Sequence, residues 1–357
     1  MRPRQPAANL IVRPEKLGDL VVATPVIRAF KETYPDQPLH LLTDDVYADA
    51  VRDDPHLDKI ITMRWKARTA PHRDSYWSIY RKMAGQPYER AALLYYNCEK
   101  LNWLMAALRV REVAQLGGTV SAYLFGHTQV RRRGNAKRAH YSTFYLRVAE
   151  ALGARTASPW PQLYLAEEEK AAFRRRFPFL EEKKTRMIVH PFGHGSAPNY
   201  SLAAYVRVME MLAEDSSLEI FVTGTAKEKA QWEPYRHLPV RTDWLGELNV
   251  REWMAAATEA ALVMCGSTGV IHVAAALNRP TLGVYCPYIG SSPDIWGPLG
   301  RNVHLLVVPE NLCKAIQPCD SGCTKSVLCD LSFAVKPETV TQKAREVLVA
   351  PPVASEV

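Results

Sequence analysis

The sequence predicts an α/β protein of two doubly wound domains, each a parallel sheet with helices on both faces. Three observations carry this. Short apolar runs alternate with helix-length amphipathic stretches along nearly the whole chain, which is the signature of βα units. At 357 residues the chain exceeds one ordinary core and suits two domains of about 150–200 residues each. The alternation breaks at Ser158-Pro159-Trp160-Pro161 and then restarts; prolines so closely spaced suit neither helix nor sheet. We therefore expect a first domain over 1–157, a second over 158–336, and a closing helix and tail over 337–357.

In the first half, Asn9–Arg13 reads as a strand and Leu20–Tyr34 as the helix that follows it. Pro38–Thr43, Lys59–Met63 and Ala91–Tyr96 read as further strands, with helices at Tyr76–Met83, Glu99–Leu108 and Tyr141–Leu152. In the second half, Arg186–His190, Leu218–Thr223, Ala261–Cys265 and Thr281–Tyr285 read as strands. Leu202–Leu212, Val250–Ala257, Thr268–Leu277 and Pro337–Val349 read as helices. Domains of this kind are expected to face each other across a cleft and to bind ligands at the C-terminal ends of their strands.

A composition of 47% hydrophobic and 23% charged residues is globular and excludes a disordered tail or a coiled coil. The longest uncharged apolar stretches, such as Gly269–Leu277, fall well short of the roughly 20 residues that span a bilayer. The start, Met1-Arg2-Pro3-Arg4-Gln5-Pro6, lacks the apolar segment of a secretory signal. The expected location is the cytoplasm, with peripheral attachment to the inner membrane as an option. The net charge of +8 is uneven: residues 1–160 hold 25 Lys and Arg against 15 Asp and Glu, the remainder 20 against 22. The excess gathers around Arg64–Arg68 and at Arg131-Arg132-Arg133 with Lys137-Arg138. Two readings stay open, a solvated basic face or a surface for phosphate-bearing lipid on the anionic inner leaflet, where each nearby Lys or Arg contributes about 1 kcal/mol. Nucleic acid is not expected, since no recognition helix, zinc finger or aromatic-basic motif is present.

Four segments sit where a strand hands over to a helix. Leu17-Gly18-Asp19-Leu20, with Thr24-Pro25 behind it, places a carboxylate near a helix start. It reads as a cap worth about 1 kcal/mol or as a general base for an attacking hydroxyl. His190-Pro191-Phe192-Gly193-His194-Gly195-Ser196 is a glycine-containing loop whose backbone N–H groups suit phosphate. It lacks the Gly-Lys-Ser/Thr ending of a Walker A loop, and an ordinary connection is the other reading. Cys265-Gly266-Ser267-Thr268-Gly269-Val270-Ile271-His272 opens a helix whose free N–H groups and dipole suit a diphosphate. His272, one turn in, is either a donor to the leaving phosphate or a satisfied core histidine. Gly224-Thr225-Ala226-Lys227-Glu228 offers Glu228 to a ribose, or simply an acidic residue in a helix's first turn. Together the four describe a nucleotide-diphosphate site in the second domain and a carboxylate in the first.

These segments, in this order and spacing, with Ala274-Ala275-Ala276-Leu277 after His272, resemble glycosyltransferase family 9, the family of the lipopolysaccharide heptosyltransferases. The likeness runs from about residue 9 to 349. It implies a GT-B fold, two Rossmann-like doubly wound domains facing a cleft, and an inverting transfer that requires no metal. It implies a nucleotide-diphosphate sugar, ADP-heptose in the best-known members, bound through Gly193, His194, Gly195, Ser196, Gly224, Glu228, Ser267, Thr268, Gly269 and His272. The acceptor is then a lipopolysaccharide-type glycolipid on the first domain, with Asp19 as the catalytic base; from position and charge, Gly18 and the basic run Arg131, Arg132 and Arg133 are the candidate acceptor contacts. Two positions depart from many relatives: Ser267 stands where they carry Asp, and Pro198-Asn199-Tyr200-Ser201 where they carry Lys-x-Trp-Pro. Both lie near the donor, so the sugar does not follow from the resemblance. A transferase using another nucleotide sugar and a non-catalytic carbohydrate-binding relative remain alternatives. An epimerase would need no acceptor, and a nicotinamide oxidoreductase is disfavoured by the missing G-x-G-x-x-G after the first strand.

Seven cysteines are present. Cys98, Cys265 and Cys286 read as small core residues. Cys313, Cys319, Cys323 and Cys329 could hold a structural Zn or Fe through four thiolates or stand as reduced thiols. The spacing lacks tight C-x₂-C pairs, although autotransporter-directed heptosyltransferases resemble this in holding iron with cysteines.

Overall fold

The computed structural model describes residues 6–65, 74–96, 98–132, 139–193, 195, 197–288, 292–316 and 329–350. The chain forms two compact units, Met1–Tyr164 and Leu165–Val357. In the first, strands β1 (Ala8–Arg13), β2 (Leu39–Asp44), β3 (Lys59–Met63), β4 (Tyr88–Leu93), β5 (Glu112–Leu116) and β6 (Thr128–Val130) form one sheet in the order β3-β2-β1-β4-β5-β6. Every pairing is parallel. β1 and β2 are buried along their whole length, as strands covered on both faces must be. The order turns back between β1 and β4, so the connections leaving these two strands diverge and open a crevice at their C-terminal ends.

The second unit repeats the plan with β7 (Thr185–His190), β8 (Leu218–Val222), β9 (Leu262–Cys265), β10 (Thr281–Tyr285) and β11 (Val303–Val307). The sheet order is β11-β10-β9-β7-β8, again parallel throughout, and the reversal falls between β7 and β9. Two parallel sheets bear out the doubly wound expectation.

The Pro-rich stretch at 158–161 is held by the first unit. Arg28 Nη1 donates to the carbonyls of Ser158 (3.2 Å) and Trp160 (3.4 Å), and the Gln162 N–H donates to Thr24 Oγ1 (3.1 Å). The contact boundary accordingly lies between 164 and 165. The closing helix Pro337–Val349 buries Val340, Ala344 and Val347 in the same core as Met209 and Leu212 of the helix Leu202–Leu212, so it is part of the second unit.

Local differences have local causes. The helix expected over Leu20–Tyr34 is two, Leu17–Val22 and Thr24–Thr33. Pro25 cannot donate to a preceding turn, and Thr24 Oγ1 instead donates to the Val21 carbonyl at 2.8 Å. β5, β6 and β11 are strands that the apolar runs do not announce. β5 carries the fully buried polar Gln115, β6 is three residues long, and β11 is a half-exposed edge. The helix Glu167–Arg176 buries only Phe173. It places acids in its first turn and arginines in its last, which complements the helix dipole. Arg251 grips Glu169 of this helix through two nitrogens and so ties it to the helix Val250–Glu259.

Candidate functional site

The crevice of the first sheet receives the Gly18-Asp19 segment. Lys16 takes a left-handed φ of 55°, unusual for a residue with a side chain, and the turn starts the helix Leu17–Val22 directly after β1. Lys16 holds the N-cap position, so Asp19 is the third helical residue and is not a cap. Its carboxylate faces back to the strand end. Arg13 Nη2 lies 2.7 Å from Asp19 Oδ1, with the two side chains 6% and 12% exposed. The Tyr145 hydroxyl donates to the same Oδ1 at 3.4 Å, and Arg13 Nη1 donates to the Leu94 carbonyl at 3.0 Å. Asp19 Oδ2 accepts no hydrogen bond from the described residues.

The electrostatics keep both donors in their donating forms. Burial works to lower the Arg13 pKa, but nearby negative charge, including the Asp19 and Glu15 carboxylates, and the hydrogen bond to Asp19 outweigh it and hold it above its ordinary value. Burial drives the Tyr145 hydroxyl well above its usual range, so it stays protonated. One oxygen of Asp19 is therefore anchored by two donors, and the other accepts none from the described residues. Such a carboxylate can accept a proton from a hydroxyl placed against it.

Aromatic rings cluster at this sheet edge. Trp65 meets Tyr95 at 5.5 Å between centroids, Tyr96 meets Tyr141 at 6.4 Å, and the Arg132 guanidinium lies 4.5 Å from the Tyr141 ring centroid. Tyr95 donates to Glu15 Oε1 at 3.2 Å. Flat apolar faces with polar tips suit a sugar ring. Sequence reasoning missed these rings, although Tyr95-Tyr96 directly after β4 was the available signal. Arg131 donates to Gln129 Oε1 (2.9 Å) and Arg132 to the Ala139 carbonyl (2.7 Å). Arg133 lies outside the described residues.

In the second unit, the loops after β7 and β9 flank the other crevice. His190, buried at the strand end, sets Nδ1 3.1 Å from Thr223 Oγ1. Gly193 and Gly195 are exposed in the loop beyond it, Gly195 with φ 69°. His194 and Ser196 lie outside the described residues. After β9 come Gly266 and Ser267, then Thr268 as the extended N-cap of the helix Gly269–Ala276. The first N–H groups of that helix have no intrahelical partner and point out of its N-terminus, while His272 is buried just behind them.

Asn199 joins the two loops, a role the sequence did not announce. Its Nδ2 donates to the Pro191 carbonyl at 3.3 Å. A Cβ on Gly266 would sit 2.5 Å from Asn199 Oδ1, and one on Gly193 3.1 Å from its Nδ2. The two glycines thus make room for one amide. The Leu331 N–H donates to the Asn199 carbonyl (3.0 Å) and the Ser201 N–H to the Asp330 carboxylate (3.0 Å). Beneath the loop, burial pushes the Cys265 thiol up to about 12.

Gly224 and Glu228 have structural duties. A Cβ on Gly224 would meet Phe192 and Leu245 at 2.8 and 2.9 Å. Glu228 is buried, and its Oε2 accepts from the Thr225 N–H (2.6 Å) and Oγ1 (3.0 Å) in a capping box. Cys98, Cys265 and Cys286 are buried. Cys313 is buried in the core of the second unit with Cys329 packed against that core. Cys319 and Cys323 lie outside the described residues. Among the described residues no group of three or more His, Cys, Asp or Glu side chains could hold a metal ion, and no helix is long and apolar enough to cross a membrane.

Comparison with known proteins places this arrangement. The model of "Glycosyltransferase family 9 (heptosyltransferase)" matches residues 100–322. A Haemophilus influenzae protein provisionally named a glycosyltransferase is 25% identical over 305 residues, 81% of this chain and 85% of its own. Escherichia coli lipopolysaccharide heptosyltransferase 2 is 27% identical over 153 residues, 41% of this chain and 43% of its own. The crystal structure of the glycosyl transferase family 9 from Veillonella parvula superposes with a TM-score of 0.78 at 16% identity, over 96% of this chain and 97% of that one. Two parallel-sheet α/β units of this kind are the GT-B fold. The family model spans more than half of the chain, and the protein belongs to glycosyltransferase family 9: it is a glycosyltransferase.

Proposed function

We propose that the protein transfers a heptose from ADP-heptose to the core of a lipopolysaccharide-type glycolipid, with inversion at the anomeric carbon. The acceptor binds the first unit and the donor the second. Asp19 Oδ2 takes the proton from the acceptor hydroxyl, whose oxygen attacks the anomeric carbon from the side opposite the diphosphate. A carbon–oxygen bond forms to the acceptor, the bond to the phosphate breaks, and its electron pair leaves with the ADP.

The leaving diphosphate gains charge as that bond breaks, and preorganised donors stabilise it. The N-terminus of the helix Gly269–Ala276, with Ser267 and Thr268, supplies backbone N–H groups and the positive end of a helix dipole. The loop at Gly193 and Gly195 supplies more. In this reading the backbone does the work that a divalent cation does elsewhere, and transfer needs no metal.

The observation that carries the proposal is the doubly anchored Asp19, with its second oxygen left open at the switch point of the first sheet. Family membership supports the reaction class, and the likeness to a lipopolysaccharide heptosyltransferase supports the sugar and the acceptor. A second reading, another nucleotide sugar as donor, is favoured by Ser267 and Pro198-Asn199, which replace an acidic and a basic residue of many relatives. A panel of nucleotide sugars, with nucleotide release followed with and without acceptor, tests both. Release that depends on ADP-heptose and acceptor together supports the first; dependence on another donor supports the second.

A further inference from the structure

The helix Val120–Leu124 is packed inside out. Its small residues Ser121 and Ala122 are buried, whereas Val120, Tyr123 and Leu124 are 71%, 80% and 65% exposed. Surface helices ordinarily turn their large apolar side chains inward. The neighbouring helix Glu99–Ala107 adds Trp103, also exposed, whose ring meets Phe125 edge-on at 4.8 Å. The two helices thus share one apolar surface. A third helix, Tyr76–Met83, packs against Glu99–Ala107 and exposes Trp77, stacked on Tyr80 at 5.2 Å.

Cations accompany these rings. Arg81 and Lys100 are exposed and have no carboxylate partner among the described residues. Lys100 Nζ lies 5.6 Å from the Tyr76 ring centroid. The one acid on the three helices is Glu99, and its carboxylate is occupied in accepting from the N–H groups of Val120 and Ser121. The helices Glu99–Ala107 and Val120–Leu124 follow β4 and β5, so they leave the same sheet edge as the Asp19 segment.

A contiguous exposed apolar surface marks an interaction site. Trp and Tyr rings settle at the membrane–water interface, and unpaired Lys and Arg attract anionic headgroups. We infer that this face docks on an anionic lipid bilayer, with Trp103, Tyr123 and Leu124 entering the headgroup layer. The excess of Lys and Arg over Asp and Glu in residues 1–160 has the matching sign. The inference leans on the glycolipid reading only for the reason an enzyme of this kind would meet a membrane; the surface itself is independent of the donor.

Co-sedimentation with vesicles tests it. The full-length protein should bind phosphatidylglycerol-containing vesicles, bind phosphatidylcholine vesicles weakly, and detach from the former at high salt. Replacing Trp103, Tyr123 and Leu124 together by Ser should weaken vesicle binding at least about tenfold, the effect of withdrawing one large apolar side chain from lipid. Lys100→Glu with Arg81→Glu should weaken binding to anionic vesicles alone. Transfer to a delipidated, water-soluble acceptor should be unchanged in both variants, which also shows that they are folded. Failure of the wild type to bind anionic vesicles would overturn the inference. So would triple-variant binding equal to wild type, or light scattering that shows the face closing a dimer of this chain. Vesicle binding without sugar transfer would count against the proposed reaction and leave the docking face standing.

Discussion

Asn at position 19 isolates the proposed proton acceptor. The amide keeps the size of the side chain and an oxygen where Arg13 Nη2 and the Tyr145 hydroxyl donate at 2.7 and 3.4 Å. What it loses is the capacity to take a proton. General-base catalysis contributes about 10²–10⁴-fold, so kcat should fall by that factor, about 3–5 kcal/mol in barrier height. The KM for the donor should hardly move, because Asp19 lies in the unit proposed to bind acceptor. Folding should suffer less than catalysis. The buried Arg13 guanidinium loses an anion but keeps an acceptor, and a hydrogen bond to a charged group is worth about 1.5–3 kcal/mol. That lowers Tm by several degrees. The assay is nucleotide release at saturating donor and acceptor, beside a thermal melt. Folded Asp19→Asn that turns over within about threefold of wild type would refute the assignment, since no general base could then be missing.

Gly266→Ala should disturb the donor loops, because its Cβ would stand 2.5 Å from Asn199 Oδ1. Overpacking of this kind costs about 1–3 kcal/mol, and calorimetric titration with ADP should show weakened binding. Asp330→Asn carries a pH signature. Burial works to raise the Asp330 carboxyl, but hydrogen bonds from Ser332 and Ser201 outweigh it and hold it below its ordinary 3.8. A carboxyl depressed in the folded state contributes stability above the unfolded value and loses it as pH falls through the folded one. The variant should therefore be less stable than wild type at neutral pH, with the gap closing as pH drops below 3.8; denaturation at several pH values checks this, and a constant gap would contradict it. Transfer should persist unchanged in excess EDTA, because backbone N–H groups are assigned to the leaving diphosphate. A rate abolished by chelation and restored by Mg²⁺ would remove that assignment.

Much of this was legible in the sequence for physical reasons. Strands buried on both faces need continuous apolar runs, and Asn9–Arg13, Pro38–Thr43 and Arg186–His190 foretold β1, β2 and β7. The handover loops were legible because tight strand-to-helix turns need glycine and because free helix N-termini are marked by Ser, Thr and Gly. Parts that depend on tertiary contact were not. Asp19 was read as a cap or as a general base; the cap position belongs to Lys16, and the Asp19 partners, Arg13 and Tyr145, lie six and 126 residues away. Asn199 shows no local signal of its role, since its neighbours Gly193 and Gly266 come from different strand ends. Glu228 was read as a ribose ligand or as a surface acid in a first helical turn; its local capping pattern, Thr225 to Glu228, was present in the sequence, but its burial depends on the fold. The inverted helix Val120–Leu124 could not be read either, because periodicity gives the apolar face and not which way it points.

The most direct test of the central claim is mass spectrometry of a heptose-deficient glycolipid core incubated with the purified protein and ADP-heptose. The account predicts a gain of one heptosyl unit in the acceptor, with stoichiometric ADP. An acceptor of unchanged mass, from folded protein that binds ADP, would contradict it.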